Sequence, residues 1–325
     1  MNILYAPIFE GGSVHETAVR YKRGLYNALC AYGDVVEFDY LAHDPATVYD
    51  GFAERINAFA PDLLISQFHG ANVLSPAQIR SLRAIRPSML WANWAGDSWA
   101  HSLTAPPILE MAREFDWQLV AAPDVLPVYA QAGIRAAYWN IAYEPPVEPL
   151  PDMPRYDVVW LANVINDRRR ALMERLKRMD GVTVGIYGDW EHADGNNVYH
   201  FPQGEALYKN ATIAIADNVY PEQINYVSNR PMQALAAGGA LLLHQRVPKM
   251  FALTGWIDGV HYVEWQDADE LDSLIRHWLQ PERAADRRRI VYAGQRQTLH
   301  HHSYAERARA LFEDILAIEG IRRVS

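Results

Sequence analysis

The chain is short of several things, and each shortage excludes a class of protein. Its 325 residues include one cysteine, Cys30, inside a predicted helix. A lone cysteine leaves no disulfide framework and no cysteine metal site. No run of about 18 uncharged apolar residues occurs, so no membrane-spanning helix is expected. The opening "MNILYAPIFEGG" has neither a charged leader nor a cleavage site, and the expected location is the cytoplasm. The G-x-G-x-x-G spacing is missing as well, which disfavours a nicotinamide oxidoreductase. Basic charge is also scarce. The net charge is −9, and residues 1–150 hold nine Lys and Arg against sixteen Asp and Glu, a balance of −7. An acidic first half is a poor grip for a phosphate backbone, where clustered cations are rewarded by counterion release. Two local basic runs remain, Arg168–Arg170 and Arg287–Arg289, each of which could also be a solvated helix face.

What is present points to a folded α/β protein. Half the residues are apolar and 21% are charged, with no low-complexity tract. The length suits two domains of about 150 residues each. Short apolar runs alternate with helical patterns. In the first half the expected strands are 2–7, 35–40, 62–68, 89–95, 117–122 and 136–142, with helices near 14–32, 46–59, 76–85, 105–115 and 124–132. Then "EPPVEPLPDMPRYD" brings five prolines, which neither a helix nor a central strand tolerates. The alternation restarts with strands at 157–163, 183–189, 198–201, 212–218, 240–245 and 261–265. Helices are expected near 167–179, 204–210, 231–238, 267–279, 281–299 and 303–318. Strands rich in Val, Ile and Leu, separated by helices of this length, indicate parallel sheets covered on both faces. The predicted architecture is two Rossmann-like domains, 1–143 and 157–325, joined by a linker at 144–156. Ligands of such sheets sit beyond the carboxyl ends of the strands, here expected between the domains.

Candidate site residues cluster at those strand ends. Gly11 and Gly12 follow the first strand and would let backbone pass close to an anion, or simply form a turn. "WANWAGDSWAH" follows the fourth strand and places Asp97 among Trp94, Trp99 and His101; the carboxylate could accept a hydroxyl proton and the indoles could stack on a sugar or base. His69 also ends a strand. Asn163 ends another, and Arg168, Arg169 and Arg170 open the helix after it. Guanidinium groups there oppose the helix dipole unless an anion binds, which suits a diphosphate. In "NRPMQALAAGGALLLHQ", Asn229, Arg230 and Gln233 crowd one helix N-terminus, with Pro231 expected as the first helical residue. The Gln233 carboxamide can pair with two neighbouring hydroxyls.

That stretch, with "MFALTGWIDGVHYVEWQDADELDSLIRHWL" and "YAGQRQTLHHHSYAERARALF", resembles the C-terminal half of CgeB-like, spore-maturation-type glycosyltransferases, near family 4 of the GT-B group. The resemblance is specific over about residues 157–318 and architectural before them. It implies two Rossmann-like domains facing across a cleft, an acceptor bound by the first and a nucleotide-diphosphate sugar by the second, with no metal ion. It places Gln233 and Asn225 where such enzymes carry a pair of glutamates, so E-x7-E has become N-x7-Q. It also implies that Asn163 and Arg168 or Arg169 hold the diphosphate, that Gly11 and Gly12 form the glycine loop of the first domain, and that Tyr187 and Trp190 flank the nucleobase. A UDP-sugar is the favoured donor. The acceptor hydroxyl could belong to a small molecule, a glycan or a modified DNA base, with Asp97 or His69 as base if configuration inverts. A sugar-nucleotide-binding module without turnover is the alternative.

Overall fold

The computed structural model describes residues 1–8, 24–68, 73–96, 105–144, 149–196, 198, 202–218 and 225–319. The chain divides into two compact units. Of the described residues, one holds those of 1–141 and takes the chain up again at 304–319; the other holds those of 142–303.

Among the described residues the first unit has six strands: β1 Asn2–Ala6, β2 Asp34–Glu37, β3 Leu63–Ser66, β4 Leu90–Ala95, β5 Trp117–Val120 and β6 Ala136–Tyr138. They form one sheet in the order β2-β1-β3-β4-β5-β6, and every pairing is parallel. Between them run α1 Gly24–Leu29, α2 Val48–Phe59, α3 Pro76–Ile85, α4 Pro106–Ala112 and α5 Leu126–Gln131. β3 and β5 are buried at every position, as strands covered on both faces must be. Phe38, Phe52, Phe68 and Trp91 fill one face of this sheet, in a core with Leu64, Ile79 and Leu82. Ser75 starts α3 with a reciprocal capping box to Gln78.

Among the described residues the second unit has five strands: β7 Val158–Leu161, β8 Val184–Tyr187, β9 Ile213–Ala216, β10 Leu241–Gln245 and β11 Val263–Trp265. Their order is β11-β10-β9-β7-β8, again all parallel. The helices are α6 Asp167–Lys177, α7 Pro202–Asn210, α8 Asn229–Ala237, α9 Met250–Thr254, α10 Ala268–Leu279 and α11 Ala284–His301. The chain direction across this sheet reverses between β7 and β9. Their pairing covers only Val158 with Ile213 and Val159 with Ala214, so the two strands part before their carboxyl ends. A switch point of this kind is where such sheets take ligands.

Several expectations need correction. The helix read as 231–238 begins at Asn229, with Ser228 as its N-cap. Pro231 therefore sits third in the helix, which costs nothing because the first N–H groups have no intrahelical acceptor. Gly238 ends that helix at φ 69°, and a Cβ on Gly239 would lie 2.1 Å from the Lys209 carbonyl oxygen, so the glycine pair serves both a cap and a close approach. The short α9 was not expected. The segment from Tyr304 on, read with the second domain, packs in the first unit instead. There α12, Tyr304–Arg309, lies against α1. The Arg307 guanidinium Nε donates to the Asn140 carbonyl at 2.9 Å, and the Trp139 indole donates to the Arg307 carbonyl at 2.8 Å. Of the strand expected at 198–201, all but residue 198 lies outside the described residues, and 198 is in no strand. Of the proline-rich segment, residues 149–156 form no helix or strand; carbonyls of Met153 and Tyr156 accept from Asn210 and Thr212. No helix among the described residues is long and apolar enough to cross a membrane.

Candidate functional site

The second unit concentrates charge at the carboxyl ends of β7, β9 and β10. After β7 the chain turns through Asn163, whose side-chain oxygen accepts the Asp189 N–H at 2.9 Å, while Val164 N–H donates to the Asp189 carbonyl at 3.2 Å. These bonds lock the loops after β7 and β8 together. Gly188 makes the approach possible, since a Cβ there would stand 1.9 Å from the Ala162 carbonyl oxygen. Asn166 then caps α6 by accepting the Arg169 backbone N–H at 2.9 Å.

The cap turns Arg168 and Arg169 toward the end of β9, and there the two part in role. Arg169 is 1% exposed and meets Asp217 side on, Nε to Oδ2 at 3.1 Å and a terminal nitrogen to Oδ1 at 2.9 Å. Its other terminal nitrogen donates to the Asn163 carbonyl at 2.9 Å. Burial pushes this guanidinium below its ordinary value, Asp217 opposes that shift, and Arg230 and Arg168 add repulsion. Arg168 shares the same carboxylate, at 3.0 Å, but its side chain keeps 38% of its exposure. It also donates to the Gln245 side-chain oxygen at 3.1 Å and to the Asn218 carbonyl at 2.8 Å. Of the two arginines matched to the diphosphate, Arg168 is the one that can touch a ligand; Arg169 is consumed by the protein.

One carboxylate thus lies between two guanidinium groups, and Arg230 is close enough to be felt by Arg169. The formal balance of Arg168, Arg169, Arg230 and Asp217 is positive by two charges. Such an excess, half-shielded from water, attracts anions.

α8 comes after β9 in the chain, and Arg230 near its start is felt by Arg169. Asn229 and Arg230 occupy its first two positions and are half-buried. The Ser228 side chain makes no cap hydrogen bond. Gln233, one turn into the helix, is 3% exposed. Asn225 is engaged differently: its side-chain oxygen accepts the Lys249 N–H at 3.0 Å, holding the entry to α9. His244 is fully buried beside this region, with Nδ1 at 2.6 Å from the Gln245 carbonyl oxygen, and burial pushes it down to about 4.

The remaining candidates fall elsewhere. Tyr187 is 6% exposed, its hydroxyl 3.2 Å from that of Tyr156, and burial pushes its phenol up. Its ring lies where a side chain on Gly195 would go. Trp190 packs in the core of the second unit, edge to face with His192. Neither ring offers a broad open face. Trp94 is 4% exposed and meets Trp139 edge to face at 4.9 Å. It belongs to a central parallel strand buried on both sides, so its indole builds the first unit rather than an open stacking platform. Gly11, Gly12, His69, Asp97, Trp99 and His101 lie outside the described residues. Sequence reasoning missed Asp217, Asn218 and Gln245, although "ADN" and "HQ" each close a predicted strand at its carboxyl end.

Residues 168–313 match a family model described as glycosyl transferase-like. None of the curated protein sequences matches the chain. Among solved structures, Anabaena HepE in complex with UDP shares 11% identity, with 98% of this chain and 100% of that chain covered at a TM-score of 0.64. Sucrose-phosphate synthase from Thermosynechococcus elongatus shares 12%, with 99% and 100% covered at 0.62. A glycosyltransferase from Rickettsia africae shares 10%, with 98% of each chain covered at 0.58. At these identities the likeness is one of fold. The chain therefore has the α/β fold of GT-B proteins, two Rossmann-like units with parallel sheets, and carries over residues 168–313 a segment similar to glycosyl transferases.

Proposed function

We propose that the protein is a metal-independent glycosyltransferase that takes its sugar from a nucleotide diphosphate, a UDP-sugar by preference. One observation carries the reading. At the switch point of the second sheet, Arg168 stays half-exposed while sharing the Asp217 carboxylate with the buried Arg169. Glycosyl transfer breaks the bond from the anomeric carbon to a diphosphate, so negative charge grows on phosphate as an oxocarbenium-like sugar departs. Arg168 and Arg230 supply the charge that stabilises this leaving group. Gln233 holds the ribose hydroxyls through its carboxamide, which can donate to one and accept from another. HepE has been solved with UDP and with UDP-glucose, which supports a uridine donor here.

The acceptor hydroxyl, on a small molecule, a glycan or a modified nucleobase, binds the first unit. Asp97 or His69 takes its proton if the configuration inverts. The test is incubation with a panel of UDP- and GDP-sugars. Slow hydrolysis with release of UDP is expected; absence of binding to every donor refutes the reading. A second reading is a nucleotide-sugar-binding module without turnover. It is favoured by the two amides in the N-x7-Q pair, since Asn225 is already spent on Lys249 N–H and neither residue carries charge. Stabilisation by UDP with no release from any UDP-sugar supports that second reading.

A further inference from the structure

We propose that Gln245 is a positioning residue: a neutral amide at the end of β10 that aims Arg168 at a bound pyrophosphate group without cancelling its charge. The inference deepens the diphosphate reading above and rests on it. A cation in the first turn of a helix opposes the helix dipole and needs acceptors to hold it. Arg168 has three: Asp217 at 3.0 Å, the Asn218 carbonyl at 2.8 Å and the Gln245 side-chain oxygen at 3.1 Å. Only the first is charged, and Arg169 already binds both of its oxygens.

The choice of amide decides what the site can do. Gln245 is 8% exposed, so its oxygen has little water to turn to and the bond to Arg168 restrains both side chains. A glutamate of the same shape would form a second ion pair with Arg168 and reduce the local excess from two charges to one. An apolar residue would release the guanidinium to swing. The amide avoids both outcomes. It restrains the cation through a neutral hydrogen bond, and the charge is left for the ligand.

The test uses the full chain with Gln245→Glu and Gln245→Met. Both variants, with the wild type, are titrated calorimetrically with inorganic pyrophosphate, UDP and uridine, and their unfolding temperatures are measured. For Gln245→Glu, UDP and pyrophosphate are expected to bind about tenfold or more weakly, while uridine is unchanged and the unfolding temperature holds or rises. Its salt dependence should flatten, because one fewer net charge attracts the anion. Gln245→Met should weaken both anions by a few-fold, again sparing uridine. A merely structural residue would lower the unfolding temperature and weaken all three ligands together, and that result overturns the proposal. So does wild-type anion affinity in Gln245→Glu. Pyrophosphate separates the two claims: if it binds wild type and is lost in Gln245→Glu while no nucleotide binds, the clamp stands and the donor reading falls. If the wild type binds neither, both fall.

Discussion

Removing Asp217 tests the construction of the anion site at its weakest point. The carboxylate is 1% exposed and takes three hydrogen bonds, two from Arg169 at 3.1 and 2.9 Å and one from Arg168 at 3.0 Å. Asp217→Ala leaves a guanidinium that is also 1% exposed with no counter-charge. Breaking a buried pair from one side costs about 3–5 kcal/mol. Arg169→Met is milder, because Arg168 still pairs with the carboxylate; about 1–3 kcal/mol is expected. The double variant Arg169→Met/Asp217→Ala removes both buried charges, so its loss should fall short of the sum by about 2 kcal/mol. Urea unfolding followed by circular dichroism measures all three, with the slope held equal. Additivity within about 0.5 kcal/mol would show that the two residues do not interact and would refute the reasoning.

Other outcomes follow from the same geometry. Arg168→Ala should weaken UDP binding by tenfold or more, on the order of 1.4 kcal/mol, and leave uridine binding unchanged; equal loss for uridine contradicts its assignment to phosphate. Gln233→Ala should weaken uridine and UDP alike, since the amide serves the ribose, and a titration with the 2′-deoxy nucleotide should show a smaller effect of the substitution. Asp97→Asn should spare nucleotide binding and lower transfer; intact turnover would exclude it as the base. His244, held neutral by burial with its value lowered to about 4, binds a proton in the unfolded chain first. Between about 6.5 and 4 the unfolded state holds more protons, so stability falls as pH drops through that window, by up to ~3 kcal/mol in all. His244→Gln should remove this acid limb from a series of unfolding curves.

The sheets were legible because parallel strands are buried on both faces and show as unbroken apolar runs. "DLLISQF", "TIAIADN" and "ALLLHQ" each hold a strand within the predicted span. Periodicity carries no address, however. The helix at Tyr304 was recognised, but its unit was not, because that depends on the Arg307 guanidinium meeting the carbonyls of Asn140 and Ile141, more than 160 residues away. Arg168 and Arg230 could be picked out as cations set against a helix dipole. Asp217 could not, since an aspartate after a strand is ordinary until two arginines are seen to share it. Trp94 and Tyr187 misled for the opposite reason. An aromatic ring at a strand end can face a ligand or the core, and burial decides which.

The most direct measurement is a crystal structure of the protein soaked with UDP. The account predicts the diphosphate within hydrogen-bond distance of the Arg168 guanidinium and the ribose on the Gln233 carboxamide. A nucleotide bound elsewhere, with Arg168 and Gln233 untouched, would contradict it.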